Sequence, residues 1–239
     1  MSVNTIHLEV VLKKLLIAIS LLIIPACGGE NEEPLVEVAQ NDGAFEDELR
    51  AIKVLFRDGD FDNSAERLTA LIETSPEDDI AWTLLGHIRR SQGLTLSARE
   101  AYQTAVSFNP LRVEALLGLG VLARLNNDLA GAMTQYERVT SLDPSNAHAH
   151  SSIAIIQTMR GRDADAVRSG ERAWSIADSD PTIAANLAVV YHYDRRTTQR
   201  DEMLATALNL LGDDETSKEQ LSVRLQAIFD GTVDIRSQE

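Results

Sequence analysis

Two consecutive stretches decide the fold of this chain: WTLLGHIRRSQGLTLSAREAYQTAVSFNP at residues 82–110 and LLGLGVLARLNNDLAGAMTQYERVTSLDP at residues 116–144. Both end in proline, and Pro76, Pro110 and Pro144 are separated by two equal intervals of 34 residues. A fixed period of this length is typical of solenoid proteins, in which each short unit packs only against its neighbours. The period therefore predicts a stack of repeated units.

Several side chains hold the same register in both stretches. The residues predicted to pack the repeats together are Trp82, Leu85, Gly86, Ala98, Tyr102, Pro110, Leu119, Gly120, Ala132, Tyr136 and Pro144. This pattern resembles the tetratricopeptide repeat, whose signature is W-x2-L-G-x2-Y, then A-x3-F, then P. The resemblance implies two helices per repeat, with small residues where they approach. Arg89 departs from it, since the family has Tyr there.

The same register extends to weaker copies on both sides of the two clear ones. The sequence predicts five repeats, at residues 45–78, 79–112, 113–146, 147–180 and 181–214. Residues 215–229 place Leu221, Leu225 and Ile228 on one face, which predicts a C-terminal capping helix within a final segment 215–239. Residues 230–239 are expected to fray. The predicted fold is an all-α tetratricopeptide solenoid.

One position in the fourth repeat lacks its expected side chain. Gly170 stands where the resemblance implies an aromatic residue. Trp174 lies four residues later on the same helical face, and helical side chains lean toward the N-terminus. We therefore expect Trp174 to fill the space left at Gly170.

The N-terminal residues have the pattern of a secretion signal. Lys13 and Lys14 precede twelve uncharged residues, LLIAISLLIIPA, which is the length of a signal-peptide core and too short to span a membrane. Cys27 follows directly. The arrangement resembles the bacterial lipobox, which implies that residues 1–26 are a signal peptide and that Cys27 is lipidated. Residues 27–44 then form an acidic flexible tether; the alternative is an ordinary segment with an incidental cysteine.

Composition and motifs exclude several classes of function. The chain has 22 Lys and Arg against 37 Asp and Glu, a net charge of -15, which disfavours nucleic-acid binding. A single cysteine excludes an internal disulfide and a cysteine-based zinc site. His148 and His150 lie on different faces of a helix, and no catalytic motif occurs. We expect no metal, no cofactor and no enzymatic activity.

The resemblance places a protein-binding groove along the first helix of each repeat. Its predicted residues are Lys53, Phe56, Arg57, His87, Arg90, Val121, Arg124, Leu125, Ile155, Met159, Val189 and Tyr193. The groove is thus expected to be cationic at one end and apolar at the other, and to bind a partner segment with acidic residues beside an aliphatic or aromatic anchor. It lacks the Lys and Asn pattern with which some family members bind chaperone tails. The alternative is that its arginines pair only with neighbouring carboxylates.

These features together favour a lipid-anchored scaffold that binds another protein in the bacterial envelope. The expected location is the outer membrane, facing the periplasm. The lipobox and the repeats are similar to lipoproteins of type IV or Flp pilus and secretin assembly. The alternative is an accessory subunit of an envelope enzyme system, in cytochrome maturation or as an adaptor for a peptidoglycan hydrolase.

Overall fold

The computed structural model describes residues 42–236, which contain eleven α-helices and no strand. The predicted signal peptide, Cys27 and nearly all of the predicted tether lie outside the described residues, as do residues 237–239. No helix within 42–236 is long and apolar enough to cross a membrane. The expected all-α tetratricopeptide fold is confirmed for this part of the chain.

The helices form five successive pairs followed by a single helix. Their bounds are α1 Asp42–Arg57, α2 Phe61–Thr74, α3 Asp79–Ser91, α4 Thr95–Phe108, α5 Val113–Leu125, α6 Leu129–Leu142, α7 Ala147–Met159, α8 Asp163–Ile176, α9 Pro181–Tyr193, α10 Thr197–Leu210 and α11 Glu215–Phe229. Within each pair the two helices pack together, and the second helix of a pair also packs on the first helix of the next. Because no pair can bury its apolar face alone, the core is a row of small clusters along the stack.

Short polar side chains begin most of these helices. The N-cap residues whose side chains accept a backbone N–H of the first turn are Asp60, Asp78, Asp128, Asn146, Asp180 and Asp214. Such a cap satisfies an N–H group that has no partner inside the helix, and it stabilises the helix by about 1 kcal/mol. The capping residues thus help to fix where each helix starts.

The turn inside each pair is built on one left-handed residue, again every 34 positions. These residues are Gly59, Gly93, Asn127, Gly161 and Arg195, with φ of 85°, 77°, 59°, 69° and 61°. Glycine and asparagine adopt this conformation at little cost, whereas a residue with a larger side chain is strained. Arg195 is therefore the most strained of the five turn residues.

Tyr102 locks the second pair against the third. Its ring is fully buried between α3 and α5, directly against the backbone of Gly86 on one side and Gly118 on the other. A Cβ atom at Gly86 would lie 2.5 Å from Tyr102 Cδ1, and one at Gly118 would lie 2.5 Å from Tyr102 Cζ. Only glycine at both positions lets the two helices close on the ring, so Gly118 serves packing.

The interface between the third and fourth pairs repeats this arrangement, but the interface between the fourth and fifth pairs does not. Tyr136 is fully buried and presses on Gly120, as Tyr102 does on Gly86. At Gly170 the aromatic ring is missing, and the expectation that Trp174 fills the space is wrong. The nearest atom to a Cβ built at Gly170 is Leu187 Cδ1 at 2.9 Å, so α9 supplies the filling side chain. Trp174 is half-buried and packs against the apolar clusters along α7, α8 and α9, one of which contains Leu187, without being among the atoms nearest to Gly170.

Polar contacts tie successive pairs together at the stack's edge. Arg112 and Asn109 both donate to the Asp79 carboxylate, Asn109 at 2.9 Å. Partial burial acts to raise the pKa of Asp79, but the hydrogen bonds from Arg112 and Asn109 outweigh it and lower the pKa below its usual value. Asp79 at the start of α3 is thereby joined to the loop before α5.

His150 takes a structural place in the same series. Trp82 Nε1 donates to the carbonyl oxygen of Pro76 at 2.8 Å, and His150 Nε2 lies 3.0 Å from the carbonyl oxygen of Pro144. His150 stands two repeat lengths after Trp82. This histidine therefore takes the place of the signature tryptophan in binding the end of the preceding repeat.

The C-terminal end is ordered as far as it is described. Helix α11 packs on α9 and α10, with Leu225 and Ile228 buried. After α11 the segment 230–236 turns back onto the solenoid instead of fraying: the amide of Val233 donates to the Ala227 carbonyl at 2.7 Å, and Ile235 packs in the cluster with Leu225. The expectation of a frayed end is therefore wrong for residues 230–236.

We predict that Gly86→Ala destabilises the protein by about 2–3 kcal/mol. The added methyl group clashes with a ring that Gly118 blocks from behind, and overpacking of this kind costs about 1–3 kcal/mol. The matched control is Gly43→Ala in α1, where no atom lies within 4 Å of the new Cβ and alanine is the better helix former. Urea unfolding checks both. Equal stability of the two variants would mean that the tyrosine does not set the spacing of the helices.

Candidate peptide-binding groove

A cavity of about 790 Å³ lies between the first helices of the later pairs and the C-terminal end of the chain. Its walls come from α5, α7, α9 and α11 and from the segment 230–236. This cavity is called the groove below. It differs from the groove expected from sequence because α11 and the C-terminal segment close one side of it.

The groove is positively charged in an acidic protein. Its lining contains Arg124 and Arg224 and, among the described residues, no aspartate or glutamate. Neither arginine forms an ion pair within residues 42–236, Arg124 being half-buried and Arg224 exposed. A guanidinium group without a carboxylate partner, beside a partly desolvated surface, favours an incoming anion. The lining therefore favours a negatively charged ligand, whereas the protein as a whole carries negative charge.

The middle of the groove is apolar. Ile155 and Met159 of α7 are half-buried, Val189 of α9 is buried, and Leu221 and Leu225 of α11 face them across the cavity. These side chains can bury an aliphatic group, at roughly 25 cal/mol per Å² of apolar surface removed from water. An aliphatic side chain beside a carboxylate fits this combination of walls.

Of the twelve residues that the sequence predicts for the groove, four line this cavity and a fifth lies at its edge. The four are Arg124, Ile155, Met159 and Val189, and Tyr193 contacts the C-terminal segment beside them. The predicted residues that lie outside the cavity are Lys53, Phe56, Arg57, His87, Arg90, Val121 and Leu125. Leu125 is 61% exposed and offers apolar surface to solvent next to Arg124.

The earlier repeats use several predicted groove residues for other contacts. Arg57 pairs with Asp58 at 3.1 Å, and the ring of Phe56 lies 5.7 Å from that of Phe61. Lys53 is exposed. The cationic end of the predicted groove is thus spread over the surface of α1 rather than gathered in a pocket.

His87 and Arg90 meet the hydroxyl of Tyr102. The hydroxyl lies 2.8 Å from His87 Nδ1. Burial, and then the nearby charge of Arg90, lower the pKa of His87. Its imidazole is therefore neutral and can accept a hydrogen bond from the tyrosine hydroxyl. Burial also raises the pKa of Tyr102. One repeat later, Ser152 and Arg124 lie beside the buried Tyr136 hydroxyl without forming a well-aligned hydrogen bond to it.

The segment 230–236 lies against the same helices. The Tyr193 hydroxyl donates to Asp234 at 2.9 Å and accepts from the backbone N–H of Ile235 at 3.0 Å. Arg236 Nε donates to the carbonyl oxygen of Thr158 at 2.9 Å, and its guanidinium pairs with Asp163. Burial raises the pKa of Tyr193. The C-terminal segment thus covers the predicted groove residue Tyr193.

Sequence reasoning missed the residues that close the groove. Arg224, Gln220 and Leu221 belong to α11, and Ile235 belongs to the segment after it, so none falls in the 34-residue register. Ser152 carried a signal that could have been used, because it stands one repeat length after Gly118 and occupies the equivalent place beside a tyrosine. The apolar face of the cap, with Leu221, was predicted from the sequence, but no sequence signal showed that this face would border the groove.

The described residues offer no grouping of metal ligands. No three His, Cys, Asp or Glu side chains within 42–236 are arranged to hold an ion. His148 lies 3.6 Å from Asp180, and His150 contacts a backbone carbonyl. The ring of His192 contacts the ring of Tyr193 edge-on and the ring of Phe229 at a tilt. These histidines therefore serve packing and surface contacts in the described part.

The comparisons with known proteins agree with this architecture. Residues 49–110 and 84–147 match the model of the tetratricopeptide repeat family. The described chain folds as a tetratricopeptide-repeat solenoid. Such repeats are generally protein-binding scaffolds rather than catalytic domains. No curated protein sequence matches the chain.

Several solved tetratricopeptide-repeat structures have the same fold. PilF of Pseudomonas aeruginosa is 15% identical, with a TM-score of 0.64, and the match covers 82% of this chain and 89% of PilF. TTC0263 of Thermus thermophilus is 23% identical, with a TM-score of 0.62 and coverage of 77% and 97%. YrrB, described as having an unusual peptide-binding site, is 13% identical, with a TM-score of 0.53 and coverage of 78% and 97%. At these identities the similarity establishes the fold alone.

We predict that Tyr102→Phe and Tyr136→Phe differ in stability although both rings are fully buried. Loss of the Tyr102 hydroxyl removes its hydrogen bond to His87 and costs about 1 kcal/mol. The Tyr136 hydroxyl is buried without a well-formed bond, so its removal changes stability by less than about 0.5 kcal/mol or stabilises the solenoid. Urea unfolding of the two variants checks this. A larger loss for Tyr136→Phe would show that Ser152 or Arg124 bonds it after all.

Proposed function

We propose that this protein is a scaffold whose groove binds a segment of a partner protein, one that carries an acidic residue beside an aliphatic one. The observation that carries the proposal is the lining of the groove. In a chain of net charge -15, the residues that the structure describes give the cavity two arginines, no carboxylate and an apolar floor. A ligand that is anionic and apolar matches both features.

The two parts of such a ligand do different work. Burial of the aliphatic side chain against Ile155, Met159 and Leu221 supplies affinity. The carboxylate, held by Arg124 or Arg224, fixes the register of the segment and speeds its approach toward the cationic groove. Charged partners without an apolar anchor are then bound weakly, and polyanions such as nucleic acids are repelled by the remaining surface.

We further propose that the scaffold is anchored to the bacterial envelope by a lipid on Cys27. The support is the sequence: two lysines, twelve uncharged residues and then the chain's only cysteine. Two acyl chains suffice for stable anchoring, at about 0.8 kcal/mol per buried CH₂ group. Gly28 after the cysteine fits the outer membrane of a Gram-negative host, with the solenoid facing the periplasm.

Pilus or secretin assembly is the envelope system that we favour. The support is the combination of a lipobox-like cysteine with tetratricopeptide repeats in one chain, together with a fold shared with PilF across 82% of this chain. An accessory subunit of an envelope enzyme, in cytochrome maturation or peptidoglycan hydrolysis, is the second candidate. Deletion of the gene separates the two, because the first requires loss of assembled pili and the second leaves pili intact.

The groove chemistry is tested with two short labelled peptides, one containing Glu flanked by leucines and the other containing Gln in its place. We predict that the protein binds the Glu peptide at least about tenfold more tightly, since one charge-assisted hydrogen bond is worth more than about 1.4 kcal/mol. Arg124→Glu with Arg224→Glu abolishes this preference and leaves the melting temperature nearly unchanged. Fluorescence polarisation measures the binding.

Arg172→Glu is the matched control, because Arg172 is exposed on α8 and lies outside the groove. This variant retains the preference for the Glu peptide. Equal binding of the two peptides by the unmodified protein, or a preference that survives in the double variant, would remove the carboxylate from the proposed recognition.

The anchor is tested by metabolic labelling. We predict that Cys27→Ser abolishes incorporation of labelled palmitate and moves the protein from the membrane to the soluble fraction. This is expected because Cys27 is the only cysteine in the sequence and so the only one available for acylation. Palmitate labelling that persists in the variant contradicts the lipid anchor. The peptide binding described above is unchanged in Cys27→Ser, which separates anchoring from recognition.

A further inference from the structure

We propose that a subsite for an arginine side chain lies at the edge of the groove, filled here by the chain's own Arg236, and that a partner segment bearing an arginine binds by displacing residues 230–236. The inference rests on the proposed peptide-binding role of the groove and adds the regulation of that site. Its starting point is that the C-terminal segment is bound as a peptide ligand would be.

Three groups from three successive helices converge on the Arg236 guanidinium. Asp163, in the first turn of α8, forms an ion pair with it. The carbonyl oxygen of Thr158, near the end of α7, accepts from Nε at 2.9 Å. The ring of Tyr193, at the end of α9, lies under it with 4.4 Å between the guanidinium carbon and the ring centroid. A carboxylate, a carbonyl and an aromatic face together suit arginine better than lysine.

The two preceding residues bind Tyr193 through one side-chain carboxylate and one backbone N–H, within a turn that the Arg236 N–H closes on the Asp234 carboxylate. Asp234 accepts from the Tyr193 hydroxyl, and the Ile235 N–H donates to the same oxygen. The side chain of Ile235 enters the apolar cluster with Leu225 and lines the groove. The bound pattern is therefore an aliphatic residue followed at once by arginine.

The contacts of residues 230–236 hold this segment on the solenoid, but they are weak enough for the segment to be released. The side chains of Arg236 and Asp163 are 31% and 30% exposed, and ion pairs that water can reach are worth only about 0–1 kcal/mol. Ile235 is half-buried, and Val233 is 41% exposed. Segments with few buried apolar contacts open locally without unfolding the domain.

The subsite also extends the description of the partner. Arg124 and Arg224 favour a carboxylate in the groove, whereas Asp163 favours a cation where the C-terminal segment lies. A segment with acidic, aliphatic and arginine side chains complements both charges. Because the attached segment has an effective concentration in the millimolar range, a partner has to fill the apolar part of the groove as well to win the competition.

The chain's own C-terminal peptide, DGTVDIRSQE, provides the probe. A labelled copy of it is titrated into the full chain and into the Arg236→Ala variant of the full chain. We expect the variant, whose own segment is released, to bind the peptide at least about tenfold more tightly than the unmodified protein. Arg236→Ala combined with Asp163→Asn loses that binding, and so does a peptide with alanine at the position of Arg236.

Arg172→Ala is the control for removal of an exposed arginine, and we expect this variant to bind the labelled peptide as weakly as the unmodified protein does. Hydrogen exchange gives a second measurement: the Ile235 amide is protected in the unmodified protein and exchanges faster in Arg236→Ala, with an unchanged melting temperature. No binding to Arg236→Ala up to about 1 mM peptide, or equal binding to the unmodified protein, overturns the proposal.

This experiment needs neither the partner nor the acidic-residue preference. If the peptide behaves as expected while the Glu and Gln peptides bind equally, the arginine subsite stands and the proposed carboxylate recognition fails. If the Glu peptide is preferred while Arg236→Ala admits no peptide, the groove function stands and the subsite fails.

Discussion

The solenoid depends on the contact between the ring of Tyr102 and two glycine backbones. Gly86 and Gly118 belong to the first helices of adjacent pairs, and the tyrosine comes from the helix between them. Because a single added carbon atom on either glycine would collide with the ring, this contact fixes the spacing of α3 and α5. The equivalent contact of Tyr136 continues the spacing, so the first helices line up and their faces form a continuous surface.

The fold could be predicted because its determinants recur at one period. The small residues, the tyrosines and the closing prolines all repeat every 34 positions, and each has a local physical reason to be where it is. The left-handed turn residues follow the same period, although Arg195 fills the last of them at a cost. Where a signature residue is missing, the replacement comes from another helix. Leu187 fills the place at Gly170, which a pattern within one helix does not reveal.

The site could be predicted only in part, because only some of its residues recur with the repeat period. Arg124, Ile155, Met159 and Val189 lie at repeating positions on first helices, and they do line the groove. Arg224 and Ile235 come from the cap and from the segment beyond it, which occur once and have no period. The docking of Arg236 depends on Asp163, Thr158 and Tyr193 meeting in three dimensions, and their separations of 73, 78 and 43 residues give no signal in the sequence.

Entry of a partner into this groove, with replacement of the C-terminal segment, is the central claim. A photo-crosslinking amino acid in place of Met159, in the full chain expressed in its host, tests it most directly, because Met159 lines the groove. Sequencing of the crosslinked peptides is predicted to give a foreign segment with acidic, aliphatic and arginine side chains, and no such product from the same label at exposed Arg172. Crosslinks from Met159 that reach only residues 230–236 of the chain itself would contradict it.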